Sequence, residues 1–336
     1  MNKVDESSTM AYARATEISI DEIPVVDVGG LVSGDPAQIL AVGTAMRQAA
    51  EKIGFFYVAN HGVDAAITAR AYAASRAFFA QSEEQKRRVT IDARHRGFLS
   101  VGEAKMYRGA KIDLKESFLW GLELPAEDPD VAADKPLMGP NQWPAEMPEM
   151  QAALYAYYLA ICACGQRLLT GLAAALGRDP SFFAASFAKP LARGSAIYYP
   201  PQPADLGETQ FGVAPHTDYG GLTLLSQDDV GGLQVLAKSG QWVTAHPIAD
   251  TLVVNIGDLM QRWTNGRLNS NAHRVVNASG RTRYSMAVFF DPHPDTKIDP
   301  RDLLDDPADA KYPPTTCGDY IVERFGKAFK YRQTKA

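Results

Sequence analysis

Hydrophobic residues in the first half of the chain recur mainly at helical spacing. Asp35 and Pro36 supply a cap and a first-turn proline, and apolar residues then recur every three or four positions as far as Gly54. Residues 93–145 break this pattern, are rich in Gly and Pro, and are predicted to be irregular and to carry function rather than core. Strands are predicted over 23–28 and 55–59, and further helices over 64–79, from Ser82 onward, and over 148–176.

From Arg193 onward, the helical pattern gives way to short segments with the apolar and β-branched composition of β-strands. Turn-forming pairs separate these runs, with Gly-Gly at 220–221 and 231–232 and Asn-Gly at 265–266. So many short strands within about 100 residues predict a two-sheet sandwich or jelly roll, so the fold class is mainly β with flanking helices. The predicted strands are 197–199, 222–226, 233–236, 242–245, 252–256, 273–276 and 284–290, and a helix is predicted over 317–329.

Composition narrows the range of functions that this fold could serve. The net charge is -5 over 336 residues and no basic cluster extends beyond residues 86–88, so no nucleic-acid partner is expected. No run of apolar residues is long enough to predict a membrane span. Residues 1–20 are predicted to be a flexible leader. Cys162, Cys164 and Cys317 form an odd, sparse set, which favours a reducing compartment and a cytoplasmic location.

Candidate metal chemistry begins at His216 and Asp218. In an extended strand, residues i and i+2 project from the same face, so the imidazole and the carboxylate point together. His273, at the start of another predicted strand, is the candidate third ligand. Two imidazoles and one carboxylate on one octahedral face leave three positions open, as in oxygen-activating Fe(II) sites. Taken alone, the His-x-Asp pair is better explained by a surface histidine beside a turn aspartate.

Arg283 and Ser285 form a candidate clamp for an anion. They lie in the last predicted strand, where the same i, i+2 spacing places them on one face. A guanidinium offers a rigid fork of donors and a hydroxyl adds another, which suits a carboxylate. A surface arginine at a strand end is the alternative for Arg283 alone. A metal triad and an anion clamp together are what a 2-oxo acid with a distal carboxylate needs.

Motifs spread over residues 21–330 carry a resemblance to a known enzyme family. They are IPVVD (23–27), GFFYVANHG (54–62), KESF (115–118), YYPP (198–201), APHTD (214–218), GLQV (232–235), NIGD (255–258), HRV (273–275) and the Arg283-x-Ser285 pair. In this order they resemble the isopenicillin N synthase-like branch of the 2-oxoglutarate and Fe(II)-dependent dioxygenases. Many plant members have Asn where this chain has Ile197.

The resemblance implies a fold, a chemistry and a set of roles. The core would be a double-stranded β-helix, and the enzyme would use Fe(2+), 2-oxoglutarate and O2 and release succinate and CO2. His216, Asp218 and His273 match the iron ligands, while Arg283, Ser285 and Tyr199 match the residues that hold the distal carboxylate of 2-oxoglutarate. The implied segments are an N-terminal α/β module (21–145), a long helical segment (146–190), the oxygenase jelly-roll core (191–295) and a C-terminal helical segment (296–336).

Two alternatives and the identity of the substrate stay open at this point. Members that keep the Arg and Ser but use no 2-oxoglutarate make an Fe(II) oxidase one alternative, and a non-catalytic metal-binding jelly roll is the other. The substrate is expected to be a small organic molecule, hydroxylated by default, with desaturation, ring closure or ethylene formation open. The loop over 93–143 is expected to border the iron cavity. Candidate pocket walls are Met106, Tyr107, Arg108, Phe118, Trp120, Phe211 and Phe290, with Tyr107 or Trp120 facing the metal.

Overall fold

Two β-sheets pack face to face at the centre of the structure, a computed structural model that describes residues 23–103, 113–201, 211–277 and 279–329. The strands are β1 (Val25–Asp27), β2 (Phe55–Ala59), β3 (Gly97–Leu99), β4 (Glu116–Gly121), β5 (Arg193–Tyr199), β6 (Val213–His216), β7 (Leu222–Gln227), β8 (Leu233–Leu236), β9 (Trp242–Thr244), β10 (Leu252–Ile256), β11 (His273–Val275), β12 (Arg283–Phe290), β13 (Lys297–Ile298) and β14 (Thr315–Thr316). The larger sheet has the order β1-β2-β10-β7-β12-β5-β4-β3, and the smaller has the order β6-β11-β8-β9.

Side chains from both sheets fill the space between them. Ile197, Tyr199 and Val253 from the larger sheet pack with Val235 and Val275 from the smaller one, and all five are buried. The pleat of each strand sends alternate residues into this interior and the others to the opposite face. The predicted jelly-roll core is therefore confirmed.

The outer face of the larger sheet is covered by helices. The longest, α5, packs against α1, α2 and β12, and together with the sheet they bury the largest apolar cluster in the protein. By length and composition alone α5 could cross a membrane, but half of its most apolar window is buried in the protein. The helices are α1 (Pro36–Lys52), α2 (Ala65–Phe79), α3 (Glu83–Arg87), α4 (Pro129–Ala132), α5 (Pro148–Ala175), α6 (Asp258–Trp263) and α7 (Cys317–Ala328).

Helix starts coincide with the capping residues found in the sequence. The Asp35 carboxylate accepts a hydrogen bond from the Ala37 N–H before α1, with Pro36 in the first turn. Ser82 and Gln85 form a reciprocal capping box at α3. These caps satisfy N–H groups that have no partner within the helix, which explains why local sequence predicts the helix starts well.

Strand β4 is the main departure from the sequence prediction, which treated residues 93–145 as irregular. It pairs with β5, with Glu116 opposite Tyr198, and so extends the larger sheet toward β3. All of its residues are buried, because it is covered on both faces. A strand buried on both faces shows no alternation of polar and apolar residues, so its sequence pattern is hard to recognise. Strand β6 and helix α6 were not predicted either.

The contact between α1 and α5 yields a test of the packing. A Cβ at Gly43 in α1 would collide with the Gly171 carbonyl of α5, whereas a Cβ at Gly326 in α7 would meet nothing within 4 Å. We expect Gly43→Ala to lower the free energy of unfolding by about 1–3 kcal/mol through overpacking. Gly326→Ala should raise it by up to about 1 kcal/mol, because alanine favours the helix. Urea denaturation of both variants measures this, and equal stabilities would contradict the close helix contact.

Candidate active site

Three potential metal ligands converge at one end of the interior between the sheets. His216 ends β6, Asp218 follows it, and His273 begins β11. Their ligand atoms all lie within 4.8 Å of one another. His216 Nε2 and His273 Nε2 stand 3.6 and 3.7 Å from Asp218 Oδ1. The structure thus brings together the three residues that the sequence analysis selected.

A one-residue irregularity in β6 sets the direction of the His216 side chain. On β11, His273 pairs with His216 and Val275 pairs with Val213, so two steps on β11 match three on β6. Regular alternation would send Val213 and His216 to opposite faces, and the extra residue turns both inward. The rings of His216 and His273 are consequently only 4.2 Å apart.

Backbone carbonyls hold both imidazoles with Nε2 facing the carboxylate. His216 Nδ1 lies 2.8 Å from the Ala214 carbonyl oxygen, and His273 Nδ1 lies 3.2 Å from that of Asn271. If each Nδ1 donates its proton to the carbonyl, Nε2 keeps its lone pair for a metal. Burial, followed by the charge of His216, lowers the pKa of His273 to about 4, which keeps this imidazole neutral at physiological pH.

Two further side chains orient Asp218, and the sequence analysis had not selected them. Thr223 Oγ1 donates to Asp218 Oδ2 at 2.6 Å and Asn255 Nδ2 donates to the same oxygen at 2.8 Å. Burial alone would raise the pKa of Asp218, but His273, His216 and the Thr223 hydroxyl hold it well below its usual range. Oδ1 is left facing the two imidazoles. Asn255 belongs to the NIGD motif, which was the one available signal.

The donor set and spacing suit a divalent metal. Ligands about 2.0–2.2 Å from an ion, at adjacent octahedral corners, stand about 3 Å apart. The observed separations of 3.6 and 3.7 Å therefore need only a small contraction. Two neutral imidazoles and one carboxylate form the facial arrangement that leaves three positions open, as in non-haem Fe(II) oxygenases.

Arg283 is fully buried at the other end of the interior. Its Nη1 donates to Ser285 Oγ at 3.3 Å, its Nη2 donates to Gln227 Oε1 at 3.3 Å, and its Nε donates to the Gly231 carbonyl. The guanidinium carbon lies 4.6 Å from the centre of the Tyr199 ring. Within the described part of the chain, no carboxylate pairs with Arg283. A buried guanidinium without a counter-ion is costly, so this arrangement is suited to binding an anion.

Cross-strand register places the two ends of the site at different heights on the inner face. Asn255, Thr223, Phe289 and Arg193 lie level across β10, β7, β12 and β5, beside Asp218. Ser285 lies four residues before Phe289 on β12, which corresponds to roughly 13 Å. The candidate clamp and the candidate metal ligands therefore lie toward opposite ends of the same inner face.

Three of the predicted pocket residues face the helices and not the interior. The Phe118 ring lies 4.9 Å from that of Phe78, the Phe290 ring lies 4.9 Å from that of Phe187, and Trp120 belongs to the same core. The prediction that these three line the pocket is wrong. Of the two aromatic residues of which one was expected to face the metal, Trp120 does not, and Tyr107 lies outside the described residues. Alternation on β4 and β12 turns them to the helix side.

Phe211 also lies outside the interior. It packs with Ala214 and Val276, and the Arg274 guanidinium carbon lies 5.5 Å from the centre of its ring. Because Arg274 alternates with the inward-facing His273 and Val275, this cluster lies on the outer side of the smaller sheet. Phe211 is therefore also wrong as a pocket wall. The remaining candidates, Met106, Tyr107 and Arg108, lie outside the described residues.

Comparison with known proteins agrees with this geometry. Residues 195–292 match the model of the 2OG-Fe(II) oxygenase superfamily, and residues 23–146 match that of the N-terminal region of non-haem dioxygenases in morphine synthesis. The chain is 35% identical to the 2-oxoglutarate-Fe(II) type oxidoreductase hxnY of Emericella nidulans, over 93% of each chain. This protein belongs to the 2-oxoglutarate and Fe(II)-dependent oxygenases. It is an enzyme whose family uses Fe(II), 2-oxoglutarate and O2.

Other relatives of this oxygenase are named after, or were solved with, chemically different molecules. It is 32% identical to a rice homoarginine-6-hydroxylase, over 90% of this chain and 96% of the relative. Its fold superposes with a TM-score of 0.81 on a Neurospora crassa enzyme solved with alpha-KG and thymine, at 27% identity and over 94% and 99% of the two chains. The relatives therefore share the oxygenase family with this chain, but their names indicate no single substrate.

The donors to Asp218 yield a prediction about metal affinity. Thr223→Val or Asn255→Leu removes one hydrogen bond from a buried carboxylate that the fold orients. We expect each variant of this oxygenase to bind Fe(II) about 10- to 100-fold more weakly, as for other residues that orient metal ligands. Thr264→Val is the matched control, because the buried Thr264 hydroxyl donates to the Met260 carbonyl and not to Asp218. Anaerobic calorimetry measures the affinities, and wild-type values for both variants would contradict this role.

The lowered pKa of His273 yields a prediction about acid stability of the metal-free protein. The unfolded chain protonates this histidine near its ordinary pKa of about 6.5, whereas the folded chain keeps it neutral down to about pH 4. Between these values the unfolded state binds more protons, so stability should fall as the pH falls from about 6.5 to 4. Thermal melts of chelator-treated His273→Asn should show a shallower decline over this window, and an identical decline would contradict the prediction.

Proposed function

We propose that His216, Asp218 and His273 hold the Fe(II) of this oxygenase, and that Arg283 with Ser285 and Tyr199 holds the distal carboxylate of 2-oxoglutarate. The observation that carries the proposal is the buried Arg283 guanidinium, which has no carboxylate partner among the described residues. It lies in the same interior as the converging His-Asp-His group. A buried cation facing a metal site is stabilised by a ligand that is anionic at one end and chelating at the other.

The chain's own residues position and shield the reacting groups. Thr223 and Asn255 hold Asp218 Oδ2, which leaves Oδ1 for the metal beside the two Nε2 atoms. Fe(II) bound at these residues would activate O2, which is the oxidant, and 2-oxoglutarate would supply two electrons and be released as succinate and CO2. The Arg283 fork sets the orientation of the cosubstrate, because its two Nη groups and the Ser285 hydroxyl lie together.

We infer that the substrate is a small organic molecule and that it binds beside Phe289 and Arg193. Both are on the inner face beside Thr223, at the metal end, whereas the clamp is at the other end. The Arg193 guanidinium lies over the Phe289 ring at 5.3 Å and over the Phe325 ring of α7 at 4.9 Å. These groups offer a planar, partly aromatic wall, and hydroxylation is the proposed reaction.

We also propose a cytoplasmic location. Cys162, Cys164 and Cys317 are all unpaired, and burial raises the pKa of each thiol, so none is held as a reactive thiolate. Unpaired, inert cysteines are typical of proteins in a reducing compartment. Fluorescent tagging of the full chain in its own cells tests this proposal.

The clamp generates a prediction about the cosubstrate. Arg283→Leu leaves the distal carboxylate without its partner, a loss of roughly 2–5 kcal/mol, so the Kd for 2-oxoglutarate should rise on the order of 30-fold to several thousand-fold. Arg283→Lys should recover part of this loss, because lysine keeps the charge but not the fork. Ser285→Ala and Tyr199→Phe should each cost about 1.5–3 kcal/mol. Anaerobic titration of the Fe(II)-loaded protein measures these values.

The same variants test the metal assignment. Fe(II) affinity should be nearly unchanged in the clamp variants, whereas His216→Ala, Asp218→Ala and His273→Ala should lose succinate release and most Fe(II) binding. If Arg283→Leu kept the wild-type affinity for 2-oxoglutarate but lost affinity for an organic substrate, the protein would be an oxidase that does not use this cosubstrate.

Two adjacent phenylalanines test where the substrate binds. Phe290 is fully buried among the helices, so Phe290→Ala should destabilise the fold by about 3–5 kcal/mol. Phe289 faces the interior and is partly exposed, so Phe289→Ala should cost far less stability. It should instead reduce substrate-stimulated succinate release in a screen of small metabolites. If Phe289→Ala left that stimulation unchanged for every active compound, the proposed position of the substrate would be wrong.

A further inference from the structure

Lys115 stands next to the proposed clamp, at the end of the segment that leads into β4. Glu116 pairs with Tyr198, so continuing the register by one residue places Lys115 level with Tyr199 and hence with Arg283. Phe118 faces the helices, and alternate residues of a strand share a face, so Ser117 and Lys115 face the interior. Three neighbouring strands therefore place a lysine, a tyrosine and an arginine in one row.

The Lys115 ammonium has no partner in the described part of the chain. It is half-buried, and it makes no hydrogen bond or ion pair there. The neighbouring Glu116 carboxylate is on the other face of the strand, where it binds Lys86 Nζ at 2.6 Å. Among the residues that the structure describes, no counter-ion therefore contacts this positive charge in the interior.

Asp113, two residues before Lys115, is a second acidic group close by in sequence, and it makes no ion pair with the Lys115 ammonium. Its Oδ1 accepts a hydrogen bond from the Ala214 N–H at 3.0 Å, while its Oδ2 is buried without a hydrogen-bond partner. The charge of Lys115 acts on Asp113 and on His273 without contact, so the ammonium lies within electrostatic range of the metal ligands. A cation there opposes a divalent metal unless an anion lies nearby.

We propose that Lys115 is a second cation of the cosubstrate pocket and binds a carboxylate of 2-oxoglutarate beside Arg283, Ser285 and Tyr199. This inference rests on the proposed function. Because Lys115 lies in one row with Tyr199 and Arg283, we expect it to bind the distal carboxylate, which these two residues are proposed to hold. The chemistry is the same for the carboxylate next to the keto group, which the long lysine side chain has the length to reach. Either contact gives the unpaired ammonium its counter-ion and offsets its repulsion of the metal.

Anaerobic calorimetry on the full-length Fe(II)-loaded protein tests the inference. For Lys115→Met we expect the Kd for 2-oxoglutarate to rise about 10- to 100-fold, the effect of losing one hydrogen bond to a charged group. Lys115→Arg should fall between this variant and the wild type. Lys238→Met is the matched control, because Lys238 is an exposed lysine of the same jelly roll and should bind 2-oxoglutarate like the wild type. Lys115→Gln replaces Lys115→Met if the latter does not fold.

A second ligand distinguishes the two carboxylates. 2-Oxobutanoate keeps the metal-binding end of 2-oxoglutarate but lacks the distal carboxylate. If Lys115→Met weakens only 2-oxoglutarate, Lys115 binds the distal carboxylate, and if it weakens both ligands, Lys115 binds the carboxylate at the metal end. Both results support the proposal.

Arg283→Leu separates failure of this inference from failure of the proposed function. If Arg283→Leu weakens 2-oxoglutarate binding but folded Lys115→Met stays within about twofold of the wild type, well under 1 kcal/mol, the role of Lys115 is wrong and that of Arg283 stands. If Arg283→Leu also binds 2-oxoglutarate like the wild type, the proposed function itself is wrong.

Discussion

The packing of the smaller sheet onto the inner face of the larger sheet is the contact on which the site depends. It brings His216 and His273, from β6 and β11, against Asp218, whose carboxylate is held by Thr223 and Asn255 from β7 and β10. No single element carries both the ligands and their supports. The ligand geometry is therefore as rigid as the apolar contact between the sheets, and a change that loosens this contact should loosen the metal site.

Buried charge is the cost of this arrangement. Asp218 and Arg283 are both buried in one interior, at opposite ends, and they do not pair with each other. Each charge keeps polar partners that reduce the desolvation penalty, namely Thr223 and Asn255 for Asp218, and Ser285 and other acceptors for Arg283. A metal ion at one end and a dicarboxylate at the other would satisfy both charges, so ligand binding should stabilise the fold.

Side chains point to opposite faces of the sheet from one residue to the next along a strand. Adjacent residues of the larger sheet therefore face either the helix-side core or the interior between the sheets. Phe290 packs with Phe187 in the helix-side core, while its neighbour Phe289 lies over the interior next to Arg193. The same rule turns Phe118 toward the helices and Ser117 away from them. Substitutions one residue apart on β4 or β12 should therefore divide into those that change stability and those that change binding.

Local sequence determined the helix caps at Asp35 and Ser82 and the strand pattern of the jelly roll. The i, i+2 spacing also selected His216 with Asp218 as candidate metal ligands, and Arg283 with Ser285 as a candidate anion clamp. These features depend on neighbouring residues alone, so they can be recognised without the fold. The inward direction of His216 needed the irregular pairing of β6 with β11, and the roles of Thr223 and Asn255 needed strands distant in sequence to become adjacent. The face on which Phe118, Trp120 and Phe290 lie was decided by the helices that cover the larger sheet. An apolar strand buried on both faces carries no sequence signal of which side is the cavity, so only tertiary packing could decide it.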